Sequence, residues 1–552
     1  MERAVSTTTG NIRNIDLGLS LFEDIITKGN FYVDKTRLIE RFLTSNSTVS
    51  LVARQRRLGK SLNMDTLRCF LTDKEDLRNL FKGLFIESSS VREMANSAPV
   101  FYFDFKGLNS GKYKMLVYDM IIAHIEDYCD ENDLPRSVRR YVSNEDFDNP
   151  EGLRYLTEVI YKATGKRSYL LIDEYDKLLI DNRNNEAYEE IRSFLTALFS
   201  SALKGNQYLE KALLTGVMRI SHESMFSGLN NIVTFDVFND NTYMDDYGFT
   251  EEEIQAIGRI TELDTAKLRQ WYNGVRINGK PIYNTYSVMS YLREKDFLCY
   301  WGKSGTMDII TDMLDGSRMA TLAKLMIGEQ VLVPMADRVS VKNLVGKGSD
   351  QAFYSLLVQA GYLALCGRDE SKISSAIVSI PNTELMLVWK NFILDNLYPN
   401  SSEVLTLFDN ADNLKVFAKD FEYFVQDRLS FHDLAVPKSE ELRKHHELIY
   451  HVFILGILSA YKDVRCMFPL SNRESGDGRY DILVEKPSSY YVFELKVCGK
   501  EDDLDAYAKK ALSQISLKRY GADLEKSKRL VKVGIAFCGK KCKVRVSEVN
   551  NT

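Results

Sequence analysis

The stretch Ser50-Leu51-Val52-Ala53-Arg54-Gln55-Arg56-Arg57-Leu58-Gly59-Lys60-Ser61 constrains this chain more than any other. A β-prone run over residues 49–53 enters a tight turn ending Gly-Lys-Ser, and residues 62–71 read as a helix. Strand, turn and helix in that order form a P-loop, in which backbone N–H groups and a helix N-terminus favour an anionic phosphate. In such a loop Lys60 reaches the β- and γ-phosphates and the Ser61 hydroxyl ligates Mg²⁺. Gly59, Leu62 and Arg57 belong to the same phosphate-binding set. The pattern G-x-x-x-x-G-K-[ST] is nevertheless broken, because its first Gly falls at Arg54. A Gly-Lys-Ser tripeptide also suits a surface turn, so the rest of the chain decides.

Two further strands bear on it. Ser168-Tyr169-Leu170-Leu171-Ile172-Asp173-Glu174-Tyr175-Asp176 is an apolar run ending in acids. Such a run fits a central parallel strand buried on both faces, whose carboxyl end borders the ligand crevice. There Asp173 holds Mg²⁺ and Glu174 polarises the attacking water; the alternative is a strand ending in solvated acids. Ala212-Leu213-Leu214-Thr215-Gly216-Val217-Met218-Arg219 repeats the pattern. Thr215 stands where AAA-type ATPases carry a sensor for the γ-phosphate, and Arg219 is a candidate charge stabiliser. Upstream, Asp34 or Thr36 caps a helix with Leu38, Ile39, Phe42 and Leu43 on one stripe, and Tyr32 and Asp34 are candidate neighbours of the nucleotide. Residues 1–15 read as a mobile lead-in.

The last hundred residues carry a second chemistry. Residues 440–461 read as an amphipathic helix, with Leu448, Val452, Leu455 and Leu458 on one face and Glu447 and His451 at i,i+4 on another. Gly478-Arg479-Tyr480-Asp481-Ile482-Leu483-Val484 begins a strand, and Tyr490-Tyr491-Val492-Phe493-Glu494-Leu495-Lys496-Val497 forms the next. Alternation puts Glu494 and Lys496 on one face and Phe493, Leu495 and Val497 on the other. Asp481 completes a carboxylate pair suited to Mg²⁺, with Glu447 as a further candidate ligand. This Asp…Glu-x-Lys arrangement is the PD-(D/E)XK nuclease signature. A helix over 504–520 follows, with Lys510, Gln514 and Lys518 on one stripe and Gln514 as a catalytic candidate. Fourteen Lys or Arg against six Asp or Glu between Lys496 and Arg545 suit a phosphate backbone. A solvated helix and an exposed ion pair is the alternative reading of these residues.

Composition bounds the rest. A chain of 552 residues predicts two or three domains, and a net charge of −5 announces no global basic field. Eight scattered Cys without a C-x-x-C pair read as reduced thiols of a cytoplasmic protein. No secretion signal and no run of 18 apolar residues is found, so no membrane span is expected.

Taken together, the chain resembles a family of prokaryotic AAA-like ATPases fused to a C-terminal domain of the PD-(D/E)XK nuclease superfamily. The matching pieces are Phe31-Tyr32-Val33-Asp34-Lys35-Thr36, Arg56-Arg57-Leu58-Gly59-Lys60-Ser61-Leu62, Leu171-Ile172-Asp173-Glu174-Tyr175-Asp176, Phe226-Ser227-Gly228-Leu229-Asn230-Asn231, Trp271-Tyr272-Asn273-Gly274 and Tyr283-Asn284. That family's P-loop tends to lack the first Gly and to carry an Arg-Pro-Arg-Arg lead-in, so Arg54 follows the family and Gln55 replaces its Pro. The expected fold is α/β: an AAA-like P-loop core over 16–248, a helical lid over 249–330, a connecting mixed α/β region over 331–435 without a chemical reading, and a nuclease-like domain over 436–552. The residues call for ATP and Mg²⁺ as cofactors, the resemblance implies that the nuclease acts on DNA, and the fusion of both parts in one chain leads to the expectation that ATP hydrolysis gates the nuclease; a homo-oligomer is a further expectation. The competing expectation is a nucleotide-dependent switch whose nuclease fold only binds nucleic acid. Arg54, Arg56 and Arg57 either charge the phosphate site or face a partner domain.

Overall fold

The computed structural model describes residues 8–131, 150–220, 229, 231–261, 263–301, 307–326, 328–336, 338–368, 374–397, 413–428, 446–447, 450–451, 454, 470–471, 474–486, 488–525, 527–539 and 541–549. Two compact units divide the chain: Met1–Met313 with Leu332–Glu384, and Leu314–Val331 with Leu385–Thr552.

In the first unit, α1 (Arg37–Thr44) leads into β1 (Val49–Ala53), which with β2 (Val100–Asp104), β3 (Ser168–Asp173), β4 (Leu209–Gly216) and β5 (Ile232–Phe235) forms one parallel sheet. Their spatial order is β2-β3-β4-β1-β5. Every residue of β1 and β3 is buried, as parallel strands covered on both faces require. From β1 the chain passes through α2 (Lys60–Leu71), skips to the edge strand β2, and returns through β3 and β4. That reversal opens a crevice at the carboxyl ends of β1, β3 and β4. Phe101, Phe103, Leu170 and Ile172 pack against α3 (Tyr113–Glu131), α4 (Gly152–Thr164) and α5 (Tyr188–Leu203) through Ile121, Leu153 and Phe199.

Three local features differ from the sequence expectation. Residues 8–15 are tied down rather than loose: Thr8 and Thr9 pair with Val33 and Tyr32, Asn14 donates to the Lys28 carbonyl at 2.9 Å, and Ile15 is buried. Residues 249–330, expected as a helical lid, contain α6 (Glu251–Thr261), α7 (Thr265–Tyr272) and α8 (Thr285–Glu294), but a hairpin of β6 (Asn273–Ile277) and β7 (Lys280–Tyr283) interrupts the helices. Its turn is Asn278-Gly279, with φ of 48° and 78°, the two-residue geometry that Asn-Gly favours. The third is the region from 332 to 384, which belongs to the first unit. There α9 (Asp350–Ala360) ends at Gly361, with φ 88° and so close to the P-loop that a Cβ would lie 1.5 Å from Gln55 Oε1. Only glycine allows that approach.

The second unit is built on β8 (Ile482–Glu485), β9 (Ser489–Val497), β10 (Arg529–Cys538) and β11 (Lys541–Val549), with Leu470–Ser471 at the edge beside β8. β9 is antiparallel to β8 and parallel to β10. Phe493, Leu495 and Val497 pack with Phe417, Phe421 and Val425 of α10 (Leu414–Arg428). On the other face Tyr490 and Val492 pack with Ile515 of α11 (Leu504–Leu517). The alternation expected for β9 therefore holds. Of the helix expected over 440–461, the described residues 446–447 and 450–451 are helical. Leu448, Val452, Leu455 and Leu458 lie outside the described residues, as do Phe226, Ser227, Gly228 and Asn230.

Candidate nucleotide and metal sites

Gly59, at φ 81°, turns the chain from the loop into α2, and Lys60 is the helix's first residue. Lys60 Nζ donates to the Arg54 and Gln55 carbonyls at 3.1 and 3.0 Å. Burial lowers its pKa, against the pull of Asp173, Asp176 and Glu174. A cavity of about 490 Å³ opens here. Arg56, Arg57, Gly59, Lys60, Ser61 and Leu62 contribute to its lining, and Phe31, Tyr32, Phe249 and Tyr286 supply aromatic wall.

Asp173 is the hub of the site. Its Oδ2 accepts from Ser61 Oγ at 2.5 Å and from the Tyr102 hydroxyl at 3.3 Å. Its Oδ1 accepts from the Thr215 hydroxyl and from the Glu174 amide, the latter at 3.0 Å. Ser61, Asp173 and Thr215 are thus brought together from α2, β3 and β4. Glu174 sits in the left-handed region at φ 51° and lines the cavity. Burial, then the neighbouring Asp173, raises its pKa. Asp176 and Tyr175 lace the β3 turn to the loop leaving β4: Asp176 accepts from the Val217 and Met218 amides, and the Tyr175 hydroxyl donates to the Met218 carbonyl at 2.6 Å. Neither had a role from the sequence; the acid two positions beyond Glu174 was their only signal.

The arginines separate. Arg54 is fully buried, forms an ion pair with the equally buried Asp240, donates to the Ala53 and Phe235 carbonyls, and lies over the Tyr247 ring. It faces the protein interior and supplies no charge to the phosphate site. Arg57 lies 4.1 Å from the Tyr286 ring and donates to the Tyr300 carbonyl at 2.7 Å. Arg219 pairs with buried Asp236 at 2.8 Å, and it is not among the residues lining the cavity. Asp34 is also outside that lining; it accepts from the Thr36 and Phe85 amides instead.

In the second unit, the Ile482–Phe493 register sets Asp481 beside Glu494. Asp481 Oδ2 accepts from the Leu495 amide at 2.7 Å. Glu494 Oε1 accepts from Lys496 Nζ at 2.9 Å and from the Gln514 side-chain amide, while its buried Oε2 has no partner among the described residues. Glu447 lies 3.3 Å from Lys496 Nζ. Burial raises both carboxyls, and Asp481 raises Glu494 further. Burial, the largest single influence, would lower the Lys496 ammonium, but Glu494, Glu447 and Asp481 together outweigh it and the net shift is upward. His451, unassigned from the sequence, comes within 3.8 Å of Asp481; burial lowers its pKa to about 4, so the imidazole is neutral. Its spacing from Glu447 was the available signal. Among the described residues no three His, Cys, Asp or Glu side chains form a metal cage. A carboxylate pair with one unpartnered buried oxygen still fits Mg²⁺, which takes one or two carboxylates and fills its remaining positions with water and phosphate.

Residues 16–226 match the family described as a predicted AAA-ATPase, and residues 445–547 match the PD-(D/E)XK nuclease superfamily. A protein of Azotobacter chroococcum mcd 1, described as an uncharacterized protein in the vnfD 5′ region, is 27% identical over 503 residues, spanning 88% of this chain and 89% of that one. A solved structure of Drosophila ORC bound to AT-rich DNA and Cdc6 aligns with 67% of this chain and 91% of its own at 11% identity; its TM-score of 0.17 carries no argument.

Proposed function

The chain joins an AAA-ATPase-like domain to a PD-(D/E)XK nuclease superfamily domain, and on that premise we propose that it hydrolyses ATP and couples the nucleotide state to a metal-dependent nuclease acting on DNA. The observation that carries the ATPase half is the hydrogen bond from Ser61, which lines the cavity beside Lys60, to Asp173 just behind that wall. Lys60 leaves its loop carbonyls for the β- and γ-phosphates. Ser61 and Asp173 would hold Mg²⁺, which neutralises phosphate charge when bound. Glu174, with its raised pKa, orients the attacking water and takes its proton. Thr215 reads the γ-phosphate through its bond to Asp173.

In the nuclease half, Asp481 and Glu494 would hold the metal, which activates water and offsets charge on the phosphate. Lys496 places a cation beside the scissile phosphate, and Gln514 orients Glu494. No helix among the described residues is long and apolar enough to cross a membrane. The test is Mg²⁺- or Mn²⁺-dependent cleavage of plasmid DNA by wild type and D481A, beside phosphate release by wild type and K60A. Cleavage surviving in D481A, or unchanged cleavage, DNA binding and phosphate release in K60A, would overturn the reading.

A further inference from the structure

Most cations at the nucleotide cavity are already engaged. Lys35 is held by Glu253 at 2.7 Å, Lys177 by Asp181, Lys60 by two loop carbonyls, and Arg57 by Tyr286 and Tyr300. Arg219, outside the cavity lining, is held by Asp236. Arg56 differs. It is half-buried on the P-loop, and among the described residues its guanidinium has no hydrogen-bond or ion-pair partner. It lines the nucleotide cavity and also a second pocket of about 20 Å³, shared with Glu174 and Asp176 and large enough for a water molecule. Asp176, whose Oδ2 accepts from the Val217 and Met218 amides, makes no ion pair with it. The guanidinium also stands close enough to Lys60 for the two positive charges to oppose each other. Asp173, Asp176 and Glu174 offset that repulsion at Lys60, which leaves the Arg56 fork as the unpaired donor on the P-loop wall of the cavity.

We propose that Arg56 is the catalytic arginine of ATP hydrolysis, supplied in cis by the P-loop itself. This rests on the ATPase reading above, and it assigns to Arg56 the role that the sequence offered to Arg219. In the step it serves, the water oxygen bonds to the γ-phosphorus as the bond from that phosphorus to the bridging oxygen breaks. The electron pair stays on the β-phosphate of ADP, the water's proton passes to Glu174, and inorganic phosphate leaves. The planar fork of Arg56 donates to the equatorial oxygens, on which negative charge accumulates in the transition state. An arginine in that role matters little to bound ADP and greatly to the rate.

The test uses the full chain as wild type, R56A, R56Q, R56K and K60A. Phosphate release is measured, together with the affinity of a fluorescent ADP with Mg²⁺, in the presence and absence of aluminium fluoride as a mimic of the transferring phosphoryl group. R56A and R56Q are expected to lower kcat about 10³-fold, to keep ADP affinity within about threefold of wild type, and to lose the affinity gained with aluminium fluoride; R56K, lacking the fork, is expected to recover only a small part. Wild-type turnover with R56A and R56Q retaining kcat within about fivefold, or retaining the aluminium fluoride gain, overturns the proposal and leaves the ATPase reading intact. Loss of ADP binding in both variants overturns it too, since the residue would then serve ground-state binding. A wild type that, like K60A, neither releases phosphate nor gains affinity from aluminium fluoride overturns the ATPase reading and the role of Arg56 with it.

Discussion

Replacing Arg54 by glycine restores the P-loop consensus and is expected to damage the protein. Arg54 and Asp240 are both 0% exposed, and the guanidinium also serves the Ala53 and Phe235 carbonyls. In R54G the Asp240 Oδ1 still accepts from the Thr242 and Tyr243 amides at 2.7 Å, but the charge on its other oxygen is left alone in a dry interior. Removing one partner of a buried pair costs about 3–5 kcal/mol, and the added backbone freedom of glycine about 0.5–1 kcal/mol more. With a urea slope of about 3 kcal/mol per M, the unfolding midpoint of the first unit should fall by about 1–2 M. Equilibrium urea unfolding followed by intrinsic fluorescence measures this. The partner substitution D240N removes the charge and keeps the carbonyl oxygen for the two amides. R54G with D240N should therefore recover about 2 kcal/mol relative to additivity. An R54G midpoint within about 0.2 M of wild type, or a double variant no better than additive, would refute the reasoning.

Other outcomes follow from the same geometry. K60A should lower phosphate release at least about 100-fold, with D173A similar, while both stay folded by circular dichroism. D481A should lower metal-dependent plasmid cleavage by about 100-fold or more, and EDTA should abolish it in wild type; cleavage indifferent to EDTA counts against a metal at Asp481 and Glu494. Q514A removes the amide that donates to Glu494 Oε1 and should weaken cleavage about 10-fold without changing the melting temperature. The last concerns pH. Burial pushes Glu384 up to about 7 although Ser287 and the Tyr300 and Trp301 amides donate to it. The folded state then holds this proton more tightly than the unfolded one, so the group's contribution is full below its ordinary value of 4.5 and is lost as pH rises through about 7. The stability of wild type relative to E384Q should therefore fall between pH 5 and about 7.5 in paired denaturation curves; a relative stability that rises over that window would contradict it.

What the sequence by itself determined is local chemistry. Gly59-Lys60-Ser61, the apolar run into Asp173-Glu174, and the alternation around Glu494 and Lys496 each carry a period or motif confined to a dozen residues or fewer, and each falls on the strand or helix terminus expected of it. The hairpin at Asn278-Gly279 was equally legible but was submerged in a region read as helical. What only the tertiary structure decided is which of those residues meet. A break in a motif at Arg54 acquires meaning only from Asp240, 186 positions away. The glycine at 361 is explained by Gln55, which presses against it. Thr215 joins Ser61 on Asp173, while Arg219, four residues later, turns to Asp236. Among three neighbouring arginines one is spent on the core, one is spent on aromatic and backbone groups, and Arg56 is left to the cavity. The physical reason is that charge partners are set by long-range packing, and packing leaves no local period for a sequence to display.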